Sequence, residues 1–158
     1  MSKSSKFAVL SLTVRQCSML ESVIAGSLAF MARKLAAASS TEEAAFYRTQ
    51  PQKFLPLQAQ FTKAGADAAR LNRPQKVKLA TDDFLTVLSS LSVHNQGEVL
   101  FLHEMPNGAE KSKRLAAFTE WEALKDLLDR ADPRINDRSQ DAEPDEDDED
   151  VDAAEDTE

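Results

Sequence analysis

The sequence predicts a mainly α-helical fold: a small helical domain built on an antiparallel helical hairpin, followed by a disordered acidic tail. Three observations predict it. Apolar residues recur at three- and four-residue spacing, which is typical of amphipathic helices. Ser and Thr residues precede these stretches where helix N-caps are expected. Finally, all 19 Lys and Arg residues precede position 139, which places the boundary between domain 1–138 and tail 139–158.

The charge of the chain is divided sharply between these two parts. The domain carries 19 − 15 = +4, whereas the tail carries 12 of the 27 acidic residues and no basic one. Such a segment cannot bury enough apolar surface to offset the entropy of ordering it, so we expect disorder. A tethered polyanion either keeps a protein soluble or competes for a basic surface. The partner-binding candidates in the tail are Asp145, Glu146, Asp147, Asp148, Glu149 and Asp150.

The first helix is predicted from Thr13 to about Ala38. Thr13 and Gln16 fit a capping box, in which each side chain satisfies the other residue's backbone N–H. The apolar stripe that follows is Cys17, Leu20, Ile24, Leu28, Met31 and Leu35. A flank of small residues around Gly26 permits close approach of another helix. Glycine there costs up to ~1 kcal/mol, which tight packing would offset. The preceding Phe7–Leu12 segment fits a strand, a hydrophobic staple or a first helical turn.

The same N-terminal region allows a second interpretation. Residues 1–40 hold five basic residues and one acid, a composition that resembles an organellar transit peptide, and 22–32 could pass for a signal-peptide core. A membrane span is disfavoured, because Glu21 interrupts the seventeen residues between Arg15 and Arg33 and a span needs ~20 apolar residues. We expect a mature helix in a cytoplasmic protein, with an organellar protein that has lost its transit segment as the alternative.

The second arm of the hairpin is predicted from Ser40 to about Leu71. Ser40 and Glu43 form another candidate capping box. The apolar seam of this arm is Phe46, Gln50, Phe54, Leu57, Phe61, Ala64, Ala68 and Leu71. Two prolines interrupt it, so we expect a short helix to about Gln50, a break, and a longer helix to Leu71. The hairpin therefore covers about 13–72. Its phenylalanines are expected in the core, and a partner groove is the alternative.

The second half of the domain is predicted over about 79–132. Thr81 fits an N-cap, and a helix with a buried face at Phe84 and Leu91 should end near Val93. A turn at 95–97, an apolar run at 99–102 and a turn at 106–108 favour a short β-hairpin near 98–115. Thr119 and Glu122 then fit a capping box for the last helix.

Two basic clusters are candidate anion-binding sites. Their members are Arg70, Arg73, Lys76 and Lys78, and Lys111, Lys113 and Arg114. They could hold phosphates or the chain's own tail, or they could be ordinary solvated surface. No aromatic residue is interleaved with the first cluster, so stacking on bases has no local support there.

The sequence offers little for catalysis. It has two histidines and one cysteine, no Gly-rich phosphate loop and no metal-ligand spacing. Cys17 lies within an apolar stripe, where a thiol is expected to be buried and inert. We expect neither enzymatic activity nor a cofactor or a bound metal.

Three functions remain open. The first, which the sequence favours, is a non-enzymatic accessory or adaptor protein that binds a protein partner. The second is association with nucleic acid, with the tail as an intramolecular competitor. The third is a structural subunit of a large assembly, such as a viral or phage particle, that oligomerises through the hairpin. No membrane partner is expected.

Overall fold

The computed structural model describes residues 7–135, which form a mainly helical fold with a two-stranded antiparallel sheet. The elements in chain order are β1 (Phe7–Leu12), α1 (Val14–Ala36), α2 (Thr41–Thr49), α3 (Pro51–Leu71), β2 (Gln75–Ala80), α4 (Thr81–Glu104) and α5 (Ala109–Arg130). The predicted tail 139–158, with candidates 145–150, lies outside the described residues.

The predicted helical hairpin is confirmed. The Thr13 capping box is complete: Thr13 Oγ1 accepts from Gln16 N at 3.1 Å, and Gln16 Oε1 accepts from Thr13 N at 2.9 Å. Ser40 Oγ caps α2 by accepting from Glu43 N at 3.0 Å. The Glu43 carboxylate, however, accepts from the backbone of Ser39 rather than that of Ser40. The second arm is broken at Gln50, and Pro51 opens α3, where a missing N–H is harmless.

α1 and α3 approach each other closely at a glycine of α3, Gly65. A Cβ on Gly65 of α3 would lie 3.2 Å from Cys17 Cβ of α1. At Gly26, in contrast, nothing lies within 4 Å of the corresponding Cβ position. The tight packing expected at Gly26 is therefore not supplied by this chain, and the close approach occurs at Gly65 instead.

The small sheet joins the two ends of the hairpin. β1 and β2 pair antiparallel, with Phe7 opposite Ala80, Val9 opposite Lys78 and Leu12 opposite Gln75. Alternation along each strand points one set of side chains inward. That inner set is Ala8, Leu10, Leu12, Val77 and Leu79, all buried.

The core lies between this sheet, α1, α3, α4 and the C-terminal half of α5. Its largest fully buried side chains include Phe61 of α3, Phe84 of α4 and Leu128 of α5. α1 contributes six buried residues, so the segment considered as a leader supplies part of this core. Among the described residues, no helix is both long and apolar enough to cross a membrane.

The β-hairpin predicted near 98–115 is wrong. α4 continues through the expected turn at 95–97 to Glu104, and α5 begins at Ala109, before the predicted start at Thr119. Thr119 lies inside α5, where its hydroxyl donates to Leu115 O at 3.2 Å. The helical state is favoured because α4 and α5 pack antiparallel and bury Leu102 and Phe118. The turn at 106–108 is confirmed as the α4–α5 connection.

The start of α4 also differs from its prediction. α4 begins at Thr81, so the N-cap residue is Ala80, and it makes no capping bond through its side chain. Asp82 and Asp83 occupy the first turn as expected, where the helix dipole favours acidic residues.

An ion pair fixes the outer part of the α4–α5 pair. Arg114 Nε donates to Glu98 Oε2 at 2.5 Å, and Nη2 donates to Oε1 at 3.2 Å. These hydrogen bonds hold the pKa of Glu98 below its ordinary value, although partial burial opposes the shift. Because the folded-state pKa is lowered, the stabilisation is present above the unfolded value of about 4.3 and is lost as pH falls through the folded value.

Replacing Glu98 with Gln should therefore destabilise the protein in a pH-dependent way. At pH 7 we expect a loss of about 1 kcal/mol in the free energy of unfolding, since Arg114 is partly solvent-screened. The difference between wild type and variant should shrink below about pH 4. Urea unfolding across pH measures it. Glu104→Gln is the control, an exposed carboxylate on the same helix with no ion pair among the described residues; an equal loss in both variants would contradict the assignment.

Candidate partner-binding groove

A groove of about 580 Å³ lies between α1, α2 and α4, and Phe54 of α3 also lines it. Its lining residues are Ser22, Val23, Gly26, Ser27, Phe30, Met31, Phe46, Tyr47, Gln50, Phe54, Ser89, Ser90, Val93 and His94. None of them is Lys, Arg, Asp or Glu. The groove is therefore an uncharged surface that combines apolar side chains with small and hydroxylated ones.

Three large apolar side chains of the groove are open to solvent. Phe30 is 47% exposed, Phe46 is 53% exposed and Val93 is 69% exposed. The Phe46 ring stands edge-on to Tyr47, with ring centroids 5.0 Å apart. Single exposed apolar residues are common on protein surfaces, but several of them around one concave surface are typical of an interaction site.

The floor of the groove is built from small residues on two facing helices. Gly26 presents bare backbone, and the hydroxyls of Ser27 and Ser90 hydrogen-bond across the α1–α4 contact at 3.2 Å. His94 stacks against Trp121 of α5, with ring centroids 4.1 Å apart, and its Nδ1 lies 3.1 Å from Asn95 Oδ1. The floor is thus held by contacts within the chain.

Lysine side chains flank the groove. Lys34 Nζ lies 5.5 Å from the centroid of the Phe30 ring. Lys53 lines a smaller adjoining cavity, together with Gln50 and Phe54. Neither lysine forms an ion pair within residues 7–135. The rim next to these phenylalanines therefore carries positive charge without a partner among the described residues.

The predicted apolar seam of the second arm is divided by the structure. Phe61 is completely buried, as expected for a core residue, whereas Phe46 faces the groove. Phe54 lies between these extremes. One periodic stripe therefore serves both the core and an open surface.

The structure does not bring the two basic clusters together. Arg73, Lys76 and Lys78 precede the N-terminus of α4, whereas Lys111 and Arg114 contact its C-terminal half. A helix of 24 residues is about 36 Å long, so the clusters lie near opposite ends of it. They form two surfaces rather than one continuous basic strip.

Several of these basic residues are already engaged. Lys63 Nζ donates to Asp67 Oδ2 at 2.8 Å and Arg70 Nη2 donates to Asp67 Oδ1 at 3.3 Å, and these bonds lower the pKa of Asp67. Arg114 pairs with Glu98, and Lys111 Nζ reaches Met105 O at 3.4 Å at the end of α4. Among the candidate residues, the side chains of Arg73, Lys76, Lys78 and Lys113 form no ion pair and no hydrogen bond within residues 7–135.

One aromatic residue, Phe7, lies beside the first cluster, and the sequence did not predict this contact. Strand pairing brings Phe7 beside Lys78, whose Nζ lies 4.4 Å from the ring centroid. The two residues are 71 positions apart in the chain, so local sequence could not reveal the contact.

The cysteine is placed as expected, in the core. Cys17 is buried, and this burial raises the pKa of its thiol, with Glu21 adding to the shift. In the part of the chain that the structure describes, no group of three or more His, Cys, Asp or Glu side chains could hold a metal ion.

No protein-family model matches the chain, and neither a curated protein nor a solved structure shows a significant match.

Proposed function

We propose that this protein is a non-enzymatic adaptor that binds an amphipathic helix of a protein partner in the groove between α1, α2 and α4. Its acidic tail keeps the protein soluble or competes for basic surfaces. The observation that supports this most is the exposure of Phe30 and Phe46, which both line an open, uncharged groove.

The shape of the floor favours a helix as the occupant. Gly26, Ser22 and Ser89 are small residues that let a helix backbone approach closely, and flanking phenylalanines provide apolar walls. Helix-in-groove recognition uses this arrangement, with apolar anchors every three or four residues along the bound helix. Glycine inside α1 costs up to ~1 kcal/mol, and a docked helix would supply the packing that this chain does not.

The chain's own tail does not have the composition to fill the groove. Between 139 and 158 its apolar residues are one Val, three Ala and one Pro, among 12 acids. The occupant therefore comes from another chain. Because Lys34 and Lys53 flank the phenylalanines, we expect acidic residues beside the apolar face of the partner helix.

A photo-crosslinking experiment tests this proposal. A photoreactive phenylalanine analogue at position 46 should capture a partner in cells, whereas the same analogue at Leu55 should not. Leu55 is a matched control because it is 52% exposed but lies outside the groove. The captured segment should map to an amphipathic helix. Equal capture from both positions would contradict a groove-specific partner, and crosslinks only between copies of this chain would indicate oligomerisation instead.

A further inference from the structure

The outer face of the β1–β2 sheet is a second surface with a distinct chemistry. We call it the basic sheet face: Lys76 and Lys78 on β2, Arg73 in the preceding loop, and Phe7 and Val9 on β1. All five side chains are exposed. Neither strand contains an acidic residue. Among the described residues, none of the three basic side chains of this face forms an ion pair. The face therefore presents three positive charges around a small apolar patch.

We propose that the acidic tail of the same chain docks on the basic sheet face. This inference rests on the tail part of the proposed function and is independent of the groove, which different elements form. Charge complementarity is the first argument. The tail carries 12 acids and no base, and the six consecutive acids 145–150 are the densest part of it. Opposite charges tethered to each other meet at an effective concentration in the millimolar range.

The path of the chain is the second argument. The contacts between the two helices run in opposite directions along the chain. Lys111 contacts Met105, Arg114 contacts Glu98, and Trp121 contacts Asn95. α5 is therefore antiparallel to α4, and its C-terminus returns to the α4 N-terminus, which follows β2 directly. The described chain thus ends near the N-terminus of α4, and Lys78 of the basic sheet face lies three residues before that terminus.

The length of the tail is sufficient for this contact. Nine residues lie between Ile135 and Asp145, and the ten residue-to-residue steps of an extended chain reach about 35 Å. The other basic surface, at Lys111–Arg114, lies near the far end of the α4–α5 pair. There Arg114 and Lys111 are already bonded to Glu98 and Met105. The basic sheet face is therefore both nearer and less neutralised.

Paramagnetic labelling of the full chain tests the docking. Ala154→Cys introduces a thiol in the tail, and a nitroxide attached there broadens backbone amide signals in NMR spectra of nearby residues. Buried Cys17 should remain unlabelled, which the wild-type protein verifies. We expect the strongest broadening at 76–78 in low salt. It should be lost at ~0.5 M NaCl, where charges are screened within a few ångströms.

Two charge-reversal variants, one double and one single, make the result specific. Lys76→Glu with Lys78→Glu should abolish the broadening, whereas Lys113→Glu, an exposed lysine on α5, should leave it unchanged. Broadening that is absent, strongest near 111–114, or rises with protein concentration would overturn docking within one chain. Single-stranded DNA serves as a competitor: if it binds the sheet face while the tail label never broadens 76–78, the face is a nucleic-acid site and the proposal fails. The groove experiment at position 46 is unaffected by either result.

Discussion

Replacing Phe61 with Ala should lower the free energy of unfolding by about 3–5 kcal/mol, the largest loss we expect from a single phenylalanine in the second arm. Phe61 of α3 is fully buried and belongs to the central core cluster, which also contains residues of α1 and the sheet. Truncation removes its buried apolar surface and leaves a cavity that closely packed neighbours cannot fill. Domains of this size are stable by ~5–15 kcal/mol, so the variant should be strongly destabilised but measurable in urea.

Phe46→Ala is the matched control for this effect. It removes the same atoms from the same periodic seam, but Phe46 is 53% exposed, so the loss should be about 1 kcal/mol or less. Where Phe61→Ala proves too unstable to purify, Phe61→Leu should still lose more stability than Phe46→Ala. Similar losses at positions 61 and 46 would mean that Phe46 is also a core residue, and the groove would then not exist as described.

The helical hairpin could be predicted from sequence because its signals are local. The Thr13 capping box, the Ser40 N-cap and the break before Pro51 each depend on residues within one or two turns. The apolar seam keeps its phase across both prolines, and α3 accommodates Pro56 within its length. Where neighbouring residues alone determine the structure, the prediction and the structure agree.

The β-hairpin predicted near 98–115 was wrong because packing between two helices outweighed the local sequence signals. Gly97 and an apolar run at 99–102 are typical of a turn followed by a strand. In the folded chain, Leu102 is buried in the α4–α5 contact and Glu98 pairs with Arg114 of α5. Both interactions depend on contacts between α4 and α5, and the residue pattern of one helix alone cannot predict them. A strand at Phe7–Leu12 was one of the possibilities that the sequence allowed, but its partner β2 was not predicted, because it lies more than sixty residues away in the chain.

The groove could be predicted only in part. The periodicity of Phe46, Phe54 and Phe61 shows that they share one side of a helix, but it does not show where the chain's own covering elements end. In the structure Phe61 lies within the core cluster, whereas Phe46 lines the open groove. Gly26 carried a usable signal: an unusual glycine inside a helix indicates a close approach, and in this chain no approach is made.

The second large effect concerns Gly26. Replacing it with Leu should preserve the fold, because nothing lies within 4 Å of the added Cβ and α1 loses an unfavourable glycine. The leucine side chain, however, projects from the floor of the groove and occupies the space proposed for the partner helix. Overpacking of this kind costs about 1–3 kcal/mol, which corresponds to roughly a 5- to 150-fold loss of affinity.

Gly97 provides a control of the same chemistry. It lies inside α4, its Cβ position is also open, and it does not line the groove. Gly97→Leu should therefore raise helix stability in the same direction as Gly26→Leu and leave partner affinity unchanged. A comparison of the two variants separates occupation of the groove from any general effect of adding an exposed leucine.

The most direct test of the proposed function is the affinity of the partner captured at position 46 for wild type, Gly26→Leu and Gly97→Leu, measured by isothermal titration calorimetry on the full chains. An adaptor groove predicts that Gly26→Leu alone weakens binding, by roughly 5-fold or more, while thermal unfolding shows that both variants remain folded. Wild-type affinity in a folded Gly26→Leu variant would contradict the account, because the leucine side chain would clash with a helix bound on the floor of this groove.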